Sequence, residues 1–303
     1  MLLGLPAEPK FRRFTKHDVN SVSGRSKFRH LGAPNDAMKM LQQRFCKWFL
    51  RSADYAAKQR AWLTHATACR SGNRTLYNVL PHRNNRFFYL LDFHDAFGSV
   101  NPKRLVAVLV EMEPDLAGEA EELQAFLENN FFAGKNGLVQ GGNASGDLFN
   151  LYVGCLVDRL LKDILADNAI TYTRYLDDLT FSSPRHITRE ARRKIRAVAM
   201  QAGFSFSWRK CEYLDLRKRQ TVMITGVGLE YGGRIFVPRR FFRKAKAIFH
   251  AAAKSGSEIP LCVVEGFASP IYDSIPVDQK RNRLETKLLT QYLKAKEAAY
   301  RRR

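Results

Sequence analysis

The stretch Thr171-Tyr-Thr-Arg-Tyr-Leu-Asp-Asp-Leu-Thr-Phe-Ser-Ser183 constrains this chain more than any other. β-Branched and aromatic residues alternate with polar ones on both sides of Asp177-Asp178, the pattern of strand, tight turn and strand. Neighbouring side chains on a flat strand point to opposite faces. Two adjacent carboxylates therefore serve one site only if they sit at the bend of the hairpin. Held that close they repel each other, and a divalent cation is the natural compensation. Asp is also a common turn residue, so a solvated hairpin tip accounts for the pair equally well. The rest of the chain has to decide between the two.

A chain of 303 residues can form one large domain or two or three small ones, and 45% hydrophobic residues make it globular. No apolar run approaches the ~18 residues of a membrane span. The start, Met1-Leu-Leu-Gly-Leu-Pro6, lacks the charged region and long apolar stretch of a signal peptide. Cys46, Cys69, Cys155, Cys211 and Cys262 are scattered and form no Cys-x-x-Cys pair, which reads as free thiols of a cytoplasmic protein. Fifty Lys and Arg against 29 Asp and Glu give a net charge of +21. Such an excess implies a polyanionic partner, nucleic acid or an anionic membrane surface. With no amphipathic anchor or lipidation motif, the reading is nucleic acid and no membrane. Charge gives affinity without naming a reaction.

Along the chain, residues 1–34 are basic and poor in apolar periodicity, ending in Ser26–Pro34, a strand leading to a Gly/Pro turn. Helical spacing of Met38, Leu41, Phe45, Phe49 and Leu50 predicts a helix from Asn35 to about Ala68, followed by a basic loop over Cys69–Arg74. Phe87–Asp92 is a continuous apolar run ending in an acid, as in a buried strand. Helices are expected over Pro102–Val110, Leu116–Phe131, from the Gly/Ser/Asn stretch at Gly141 to Leu161, and over Thr188–Ala202. Short strands follow at Val222–Thr225 and Ile235–Val237. The remainder reads as basic helix, interrupted over Ser255–Pro276. Its last helix runs from Val277 to about Tyr300, with Leu284, Leu288, Tyr292 and Leu293 on one face. The clusters Arg217-Lys-Arg219 and Arg239-Arg240…Arg243-Lys244…Lys246 suit a phosphate-tracking surface, beside the plainer reading of solvated helix faces.

Asp92 at the end of a buried strand is costly unless it is paired or ligates a metal; a helix cap or a salt bridge to arginine would also account for it. One acid at a strand end and an acid pair on a separate hairpin could together hold two Mg²⁺ ions, which clamp the attacking and leaving oxygens of a phosphoryl displacement. The order Asp92-Phe-His-Asp-Ala-Phe97, then Gln140-Gly-Gly-Asn-Ala-Ser-Gly146…Asn150, then Tyr175-Leu-Asp-Asp178 is similar to motifs A, B and C of reverse transcriptases. Gly203-Phe-Ser-Phe-Ser-Trp-Arg-Lys210 resembles motif D, and Lys27-Phe-Arg29…Pro34 with Leu41-Gln42 resembles the first fingers motif of the bacterial enzymes. Asn78-Val-Leu-Pro-His82 and Ile224-Thr-Gly226 resemble two signatures of the retron reverse transcriptases, with Val for Ala and Ile for Val. Gly146 stands where most relatives carry Pro, and Leu176 where bacterial relatives usually carry Ala.

The resemblance implies an α/β (α+β) right-hand polymerase with fingers, a palm built on an antiparallel sheet, and a small helical thumb. It divides the chain into fingers over 1–86, palm with interleaved fingers helices over 87–237, and thumb over 238–303. It implies Asp92, Asp177 and the Phe93 carbonyl as ligands of two Mg²⁺, with Asp178 completing the catalytic carboxylates. Lys27 and Arg29 would grip the triphosphate. Phe97 would be the gate that selects deoxynucleotides, although core packing explains such an aromatic as well. Gln140 and Gly141 would line the nucleotide and template pocket, and Lys210 would be a proton donor or only an electrostatic stabiliser. Asn78, His82, Thr225, Gly226, Arg239, Arg240 and Arg243 would meet RNA or primer, with a satisfied structural histidine as the other reading of His82. The implied partners are dNTPs, a cognate structured non-coding RNA and its DNA product, with room for an effector or toxin encoded nearby. Two alternatives remain at this level: a defence-associated or group II intron-like reverse transcriptase, and an RNA-binding scaffold with an inactive polymerase fold.

Overall fold

The structure, a computed structural model, describes residues 11–19, 26–50, 60, 62–69, 75–133, 136–254, 258–276 and 278–301. Side chains of residues 18–19, 26–30, 48–49, 133, 136 and 269–274 lie outside that description, as do most of the basic loop expected after Cys69 and the middle of the helix expected to reach Ala68.

In chain order the elements begin with strands β1 (Phe11–Val19) and β2 (Ser26–Pro34), paired antiparallel. Helix α1 (Asp36–Phe45) follows, capped by Asn35, whose side chain accepts from Met38 N. Short helix α2 (Thr75–Val79) leads to strand β3 (Phe87–His94), and helices α3 (Pro102–Met112) and α4 (Ala120–Phe131) come next. The two-stranded ribbon β4 (Phe132–Ala133) and β5 (Asn136–Leu138) precedes helix α5 (Ser145–Val153), which continues irregularly into α6 (Lys162–Asp167). Hairpin strands β6 (Thr171–Tyr175) and β7 (Asp178–Ser183) are followed by helix α7 (Arg189–Gln201). Then come β8 (Ser205–Phe206), β9 (Glu212–Asp215), short helix α8 (Leu216–Arg219), and β10 (Thr221–Ile224), β11 (Val227–Glu230) and β12 (Ile235–Phe236). Helices α9 (Arg239–Ala252), α10 (Leu261–Ser274) and α11 (Arg283–Tyr300) finish the chain.

β3 is the centre of the main sheet. It pairs with β7 on one edge and with β9 and β8 on the other, all antiparallel, and β6 completes the order. Its apolar run is buried on both faces, as a central strand requires. Helices α3, α4, α5 and α7 pack their apolar residues with the sheet in one core that includes Leu105, Leu109, Phe131, Phe149, Phe181 and Ile195. α7 shows how a basic sequence still folds: Ala191, Ile195 and Ala199 recur on the buried face, Arg192 and Arg196 lie against Tyr213 and Tyr89 of the sheet, and Arg189, Arg193 and Lys194 are exposed. A second cluster joins α2 and β3 to β10–β12 through Val79, Phe88, Ile224 and Leu229. A third holds the C-terminal helices together through Phe249, Val264, Leu288 and Tyr292. The C-terminal helices are tied to the β10–β12 sheet by Arg234, whose guanidinium lies 3.0 Å from the buried Glu285 carboxylate, and by Gln279, which exchanges two hydrogen bonds with the Ile235 backbone.

The structure corrects several expectations. The helix predicted to reach Ala68 is over before His65, because the backbone there pairs with β6: Arg174 N donates to His65 O at 2.7 Å and Thr67 N to Arg174 O at 2.8 Å. The interruption expected at Ser255–Pro276 contains helix α10. The last helix begins at Arg283 rather than Val277, where Asn282 and Glu285 close a reciprocal capping box. Its buried side carries Leu288, Tyr292, Ala295 and Ala299, whereas Leu284 and Leu293 are exposed. Strands β1, β4, β5, β8, β9 and β11 add to those that the sequence pattern predicts.

Candidate active site

The β6–β7 hairpin turns at Leu176-Asp177, and the register sets Asp178 directly across from Asp92 on β3. Leu176 adopts φ +53°, a left-handed conformation that costs a non-glycine residue about 1–2 kcal/mol. The turn is fixed to β3 by Phe93 N, which donates to the Asp177 carbonyl at 3.1 Å, and β3 is fixed in turn by Ser207 N, which donates to the Asp92 carbonyl at 2.8 Å. These backbone bonds answer the problem posed by the sequence: the acid pair sits at a bend, beside a third acid from another strand.

The electrostatics follow from that crowding. Asp92 is buried, and one of its oxygens, Oδ2, lies 2.5 Å from Lys210 Nζ. Its other oxygen, Oδ1, is buried with no hydrogen-bond partner, an expensive state for a carboxylate. The Asp178 carboxyl is pushed up to about 7, first by burial and then by the charges of Asp177 and Asp92. Among the described residues no three His, Cys, Asp or Glu side chains already surround one ion-sized point. The donor set nonetheless fits a hard divalent cation: it is all carboxylate, and it carries an orphaned oxygen.

The structure also joins to one another the loops expected to form a nucleotide pocket. Phe97, half-buried, stacks on Phe149 of α5 with ring centroids 4.8 Å apart. The Gln140 carbonyl accepts from Gly32 N at 2.9 Å, which binds β2 to the loop ahead of α5. Gly141 has φ +107°, and a Cβ there would stand 3.1 Å from the Gly32 carbonyl oxygen, so both conformation and close approach call for glycine. Buried Gln42 braces the same loop, donating to Asn130 O at 2.8 Å and accepting from Asn143 N at 2.9 Å. At Gly146 a Cβ would stand 2.5 Å from Cys69 Sγ, so a larger residue there requires the Cys69 side chain to turn away.

Residues 15–229 match the family model described as reverse transcriptase (RNA-dependent DNA polymerase). This chain belongs to the reverse transcriptase family. It is 27% identical over 140 residues to the retron Ec83 reverse transcriptase of Escherichia coli, covering 45% of each chain. It is 26% identical over 259 residues to the retron Mx65 reverse transcriptase of Myxococcus xanthus, covering 81% of this chain and 57% of the relative. The chain thus spans about half the length of the curated relatives it matches. Among solved structures, the telomerase from Candida tropicalis in complex with a TWJ fragment of telomeric RNA superposes with a TM-score of 0.54 at 11% identity, over 97% of this chain and 54% of that one. At that identity the likeness is one of fold, and it agrees with the right-hand polymerase architecture with an antiparallel palm sheet.

The other expected site residues fall in three groups. β2 carries Lys27 and Arg29, paired through the backbone with Asp18 and Lys16, and their side chains lie outside the described residues. Arg239, Arg240 and Arg243 are exposed on the first turns of α9. Asn78 and His82 are wholly buried, so the expectation of direct RNA contact gives way to a supporting role. Asn78 Nδ2 donates to Thr225 Oγ1 at 3.2 Å, joining the two retron-like segments; Thr225 and Gly226 form the β10–β11 turn with φ +46° and +85°. The Thr67 hydroxyl lies between Asn78 Oδ1 at 3.2 Å and the Arg174 carbonyl at 3.0 Å.

His82 bridges Ser182 Oγ at 2.6 Å and Thr173 Oγ1 at 2.8 Å, and the Thr173 hydroxyl donates onward to the Asn78 carbonyl. This pattern assigns a neutral ring with the proton on Nε2. Burial lowers its pKa to about 3. The folded value lies below the unfolded 6.5, so its contribution to stability is complete above 6.5 and is lost as pH falls toward 3. Between about pH 7 and pH 5 this group alone costs about 2 kcal/mol of stability. Denaturant unfolding at the two pH values should show a His82→Gln variant losing less stability than wild type by about that amount; equal losses would mean that His82 is protonated in the fold.

Sequence reasoning passes over Arg174 and Asp158, a fully buried ion pair with Nη2–Oδ2 at 2.9 Å beneath the carboxylate turn. The available signal is an arginine in the middle of an otherwise buried strand and an acid inside an apolar helical stretch.

Proposed function

We propose that the chain is the RNA-directed DNA polymerase of a retron, copying a cognate structured non-coding RNA into a short single-stranded DNA that stays linked to RNA, as part of antiphage defence. The observation that carries this reading is the convergence of Asp92, Asp177 and Asp178, with a buried unpartnered oxygen on Asp92. Asp92, Asp177, Asp178 and the Phe93 carbonyl would hold two Mg²⁺, which when bound supply activation of the primer hydroxyl and neutralisation of the leaving pyrophosphate. Lys210 places its ammonium beside Asp92 and serves as proton donor or stabiliser for the pyrophosphate. Phe97, backed by Phe149, presents a flat ring that excludes a 2′-hydroxyl. Gln140 and Gly141 line the nucleotide and template pocket, and Lys27 and Arg29 on β2 grip the triphosphate. In this reading residues 1–86 act as fingers, 87–237 as palm and 238–303 as thumb. The protein in this reading works in the cytoplasm. No described helix is long and apolar enough to cross a membrane. A nearby-encoded effector is the remaining partner of the reading.

The retron assignment draws its support from the Asn78–Thr225 hydrogen bond between the two retron-like segments and from the relatives' identity. Folded RNA is recognised mainly through shape, 2′-hydroxyls and phosphates, so exposed Arg239, Arg240 and Arg243 should read the stem through its backbone. Neutralising all three with Gln should weaken RNA binding and flatten its salt dependence by roughly 0.7–0.9 log units of slope for each phosphate that is no longer neutralised. An unchanged slope in a filter-binding titration places the RNA elsewhere. DNA co-purified from cells should be short and joined to RNA by a branch that a debranching enzyme releases. A free 5′ end, or DNA joined to protein, would instead assign the chain to another defence-type reverse transcriptase.

A further inference from the structure

Arg174 lies on β6, three residues before Asp177, with none of its side chain exposed. A guanidinium sealed from water is tolerated only when its donors are matched, and here they are matched by three separate elements. Nε and Nη2 reach the Asp158 carboxylate at 3.0 and 2.9 Å, and the same carboxylate accepts the Tyr172 hydroxyl at 2.7 Å. Nη1 donates to Asn150 Oδ1 at 2.8 Å and to the Leu176 carbonyl at 3.3 Å. Asn150 is anchored in turn, its Nδ2 donating to the Ala68 carbonyl at 2.9 Å.

An apolar side chain could fill this space without desolvating a charge. It could not hold the Leu176 carbonyl, the group immediately before Asp177 in a turn that needs a left-handed leucine. Asn150 belongs to α5, the helix that sets Phe149 against Phe97. One side chain therefore joins the carboxylate turn to the helix behind the sugar-facing aromatic.

We propose that Arg174 is a positioning residue: through Leu176 it fixes Asp177 relative to Asp92, and through Asn150 it ties that arrangement to α5. The kinetic part of this inference rests on the polymerase reading above, whereas the placement of the carboxylates does not.

Two variants test it. Arg174→Lys keeps the charge, but a single ammonium cannot match the fork to Asp158 and reach Leu176 at once. Arg174→Met with Asp158→Asn removes the buried charge pair together and leaves an acceptor for Tyr172. For each, unfolding in urea, Mn²⁺ binding by electron paramagnetic resonance without nucleotide, and primer extension on an RNA template are measured. The expected result is a folded double variant whose Mn²⁺ affinity and kcat both fall by about 10–100-fold, as for other groups that orient metal ligands, with KM for dNTP and affinity for RNA within about threefold of wild type. Arg174→Lys should recover part of that loss. A folded double variant with wild-type Mn²⁺ affinity and kcat overturns the proposal and leaves Arg174 a packing residue. Should the double variant not fold, Arg174→Lys decides, and wild-type Mn²⁺ affinity in it overturns the proposal. If the wild type binds Mn²⁺ but extends no primer, the polymerase reading fails by itself, and the Mn²⁺ comparison still tells whether Arg174 places the carboxylates.

Discussion

Asp177→Asn is expected to stop DNA synthesis while leaving RNA bound. The substitution keeps the size of the side chain, and the Asp177 carbonyl that accepts from Phe93 N is untouched, so the turn should persist. What goes is the charge of one of the three carboxylates that the fold brings close together at this turn. Losing several kcal/mol of charge stabilisation for the transferring phosphoryl group corresponds to a rate drop of at least about a thousandfold. RNA affinity draws on the surface arginines and the net charge of +21, and should stay within about threefold. Single-turnover extension on an RNA template, run beside a filter-binding titration, separates the two effects. Undiminished extension by this variant would remove the metal-site assignment.

Phe97→Ala should let ribonucleotides in. The Phe97 ring is only half-buried, and its stacking on Phe149 holds the exposed part in a fixed plane. Discrimination by such a clash is negative selection against one hydroxyl. Its removal should shrink the dNTP-over-rNTP preference on the order of 10–100-fold. The same substitution should also cost some stability, because a stacked aromatic is lost. The two effects come apart in the measurement: single-nucleotide incorporation reports the ratio, and urea unfolding reports the packing. A destabilised variant with an unmoved ratio would make Phe97 a core residue and nothing more.

The carboxylate site was legible in the sequence because its residues sit where strand patterns end. The apolar run Phe87–Leu91 forces β3 into the sheet interior, and the alternation on both sides of Asp177-Asp178 forces a hairpin. Pairing those two elements leaves Asp92 and Asp178 side by side. Residues whose surroundings come from distant segments were harder to read. Leu63 and Ala66 continue a helical spacing after Asn35, yet Ala66 bridges to Arg174 of β6, far along the chain; tertiary pairing wins over local periodicity. β1 carries Arg12, Arg13 and Lys16, whose charge hides a strand that pairs with β2. Asn78 and His82 are expected to meet RNA on the strength of the retron-like signature alone, whereas their partners Thr225, Thr173 and Ser182 come from distant segments and enclose them. Arg174 shows the same limit: nothing local says that its counter-charge is Asp158, or that both are sealed from water. In the last helix, Leu284 and Leu293 share a stripe with Leu288 on paper, while packing in the C-terminal cluster selects Ala295 instead, and Ala299 is buried as well.

Whether these carboxylates catalyse RNA-templated DNA synthesis is measured most directly by primer extension with the purified chain on an RNA template, with dNTPs and Mg²⁺, beside the same reaction in chelator. The expected result is RNA-templated incorporation of deoxynucleotides that chelation abolishes and added Mg²⁺ restores, with RNA binding unchanged throughout. Firm RNA binding with no incorporation under any divalent cation would contradict it, and would make this chain a scaffold that keeps the polymerase fold without its chemistry.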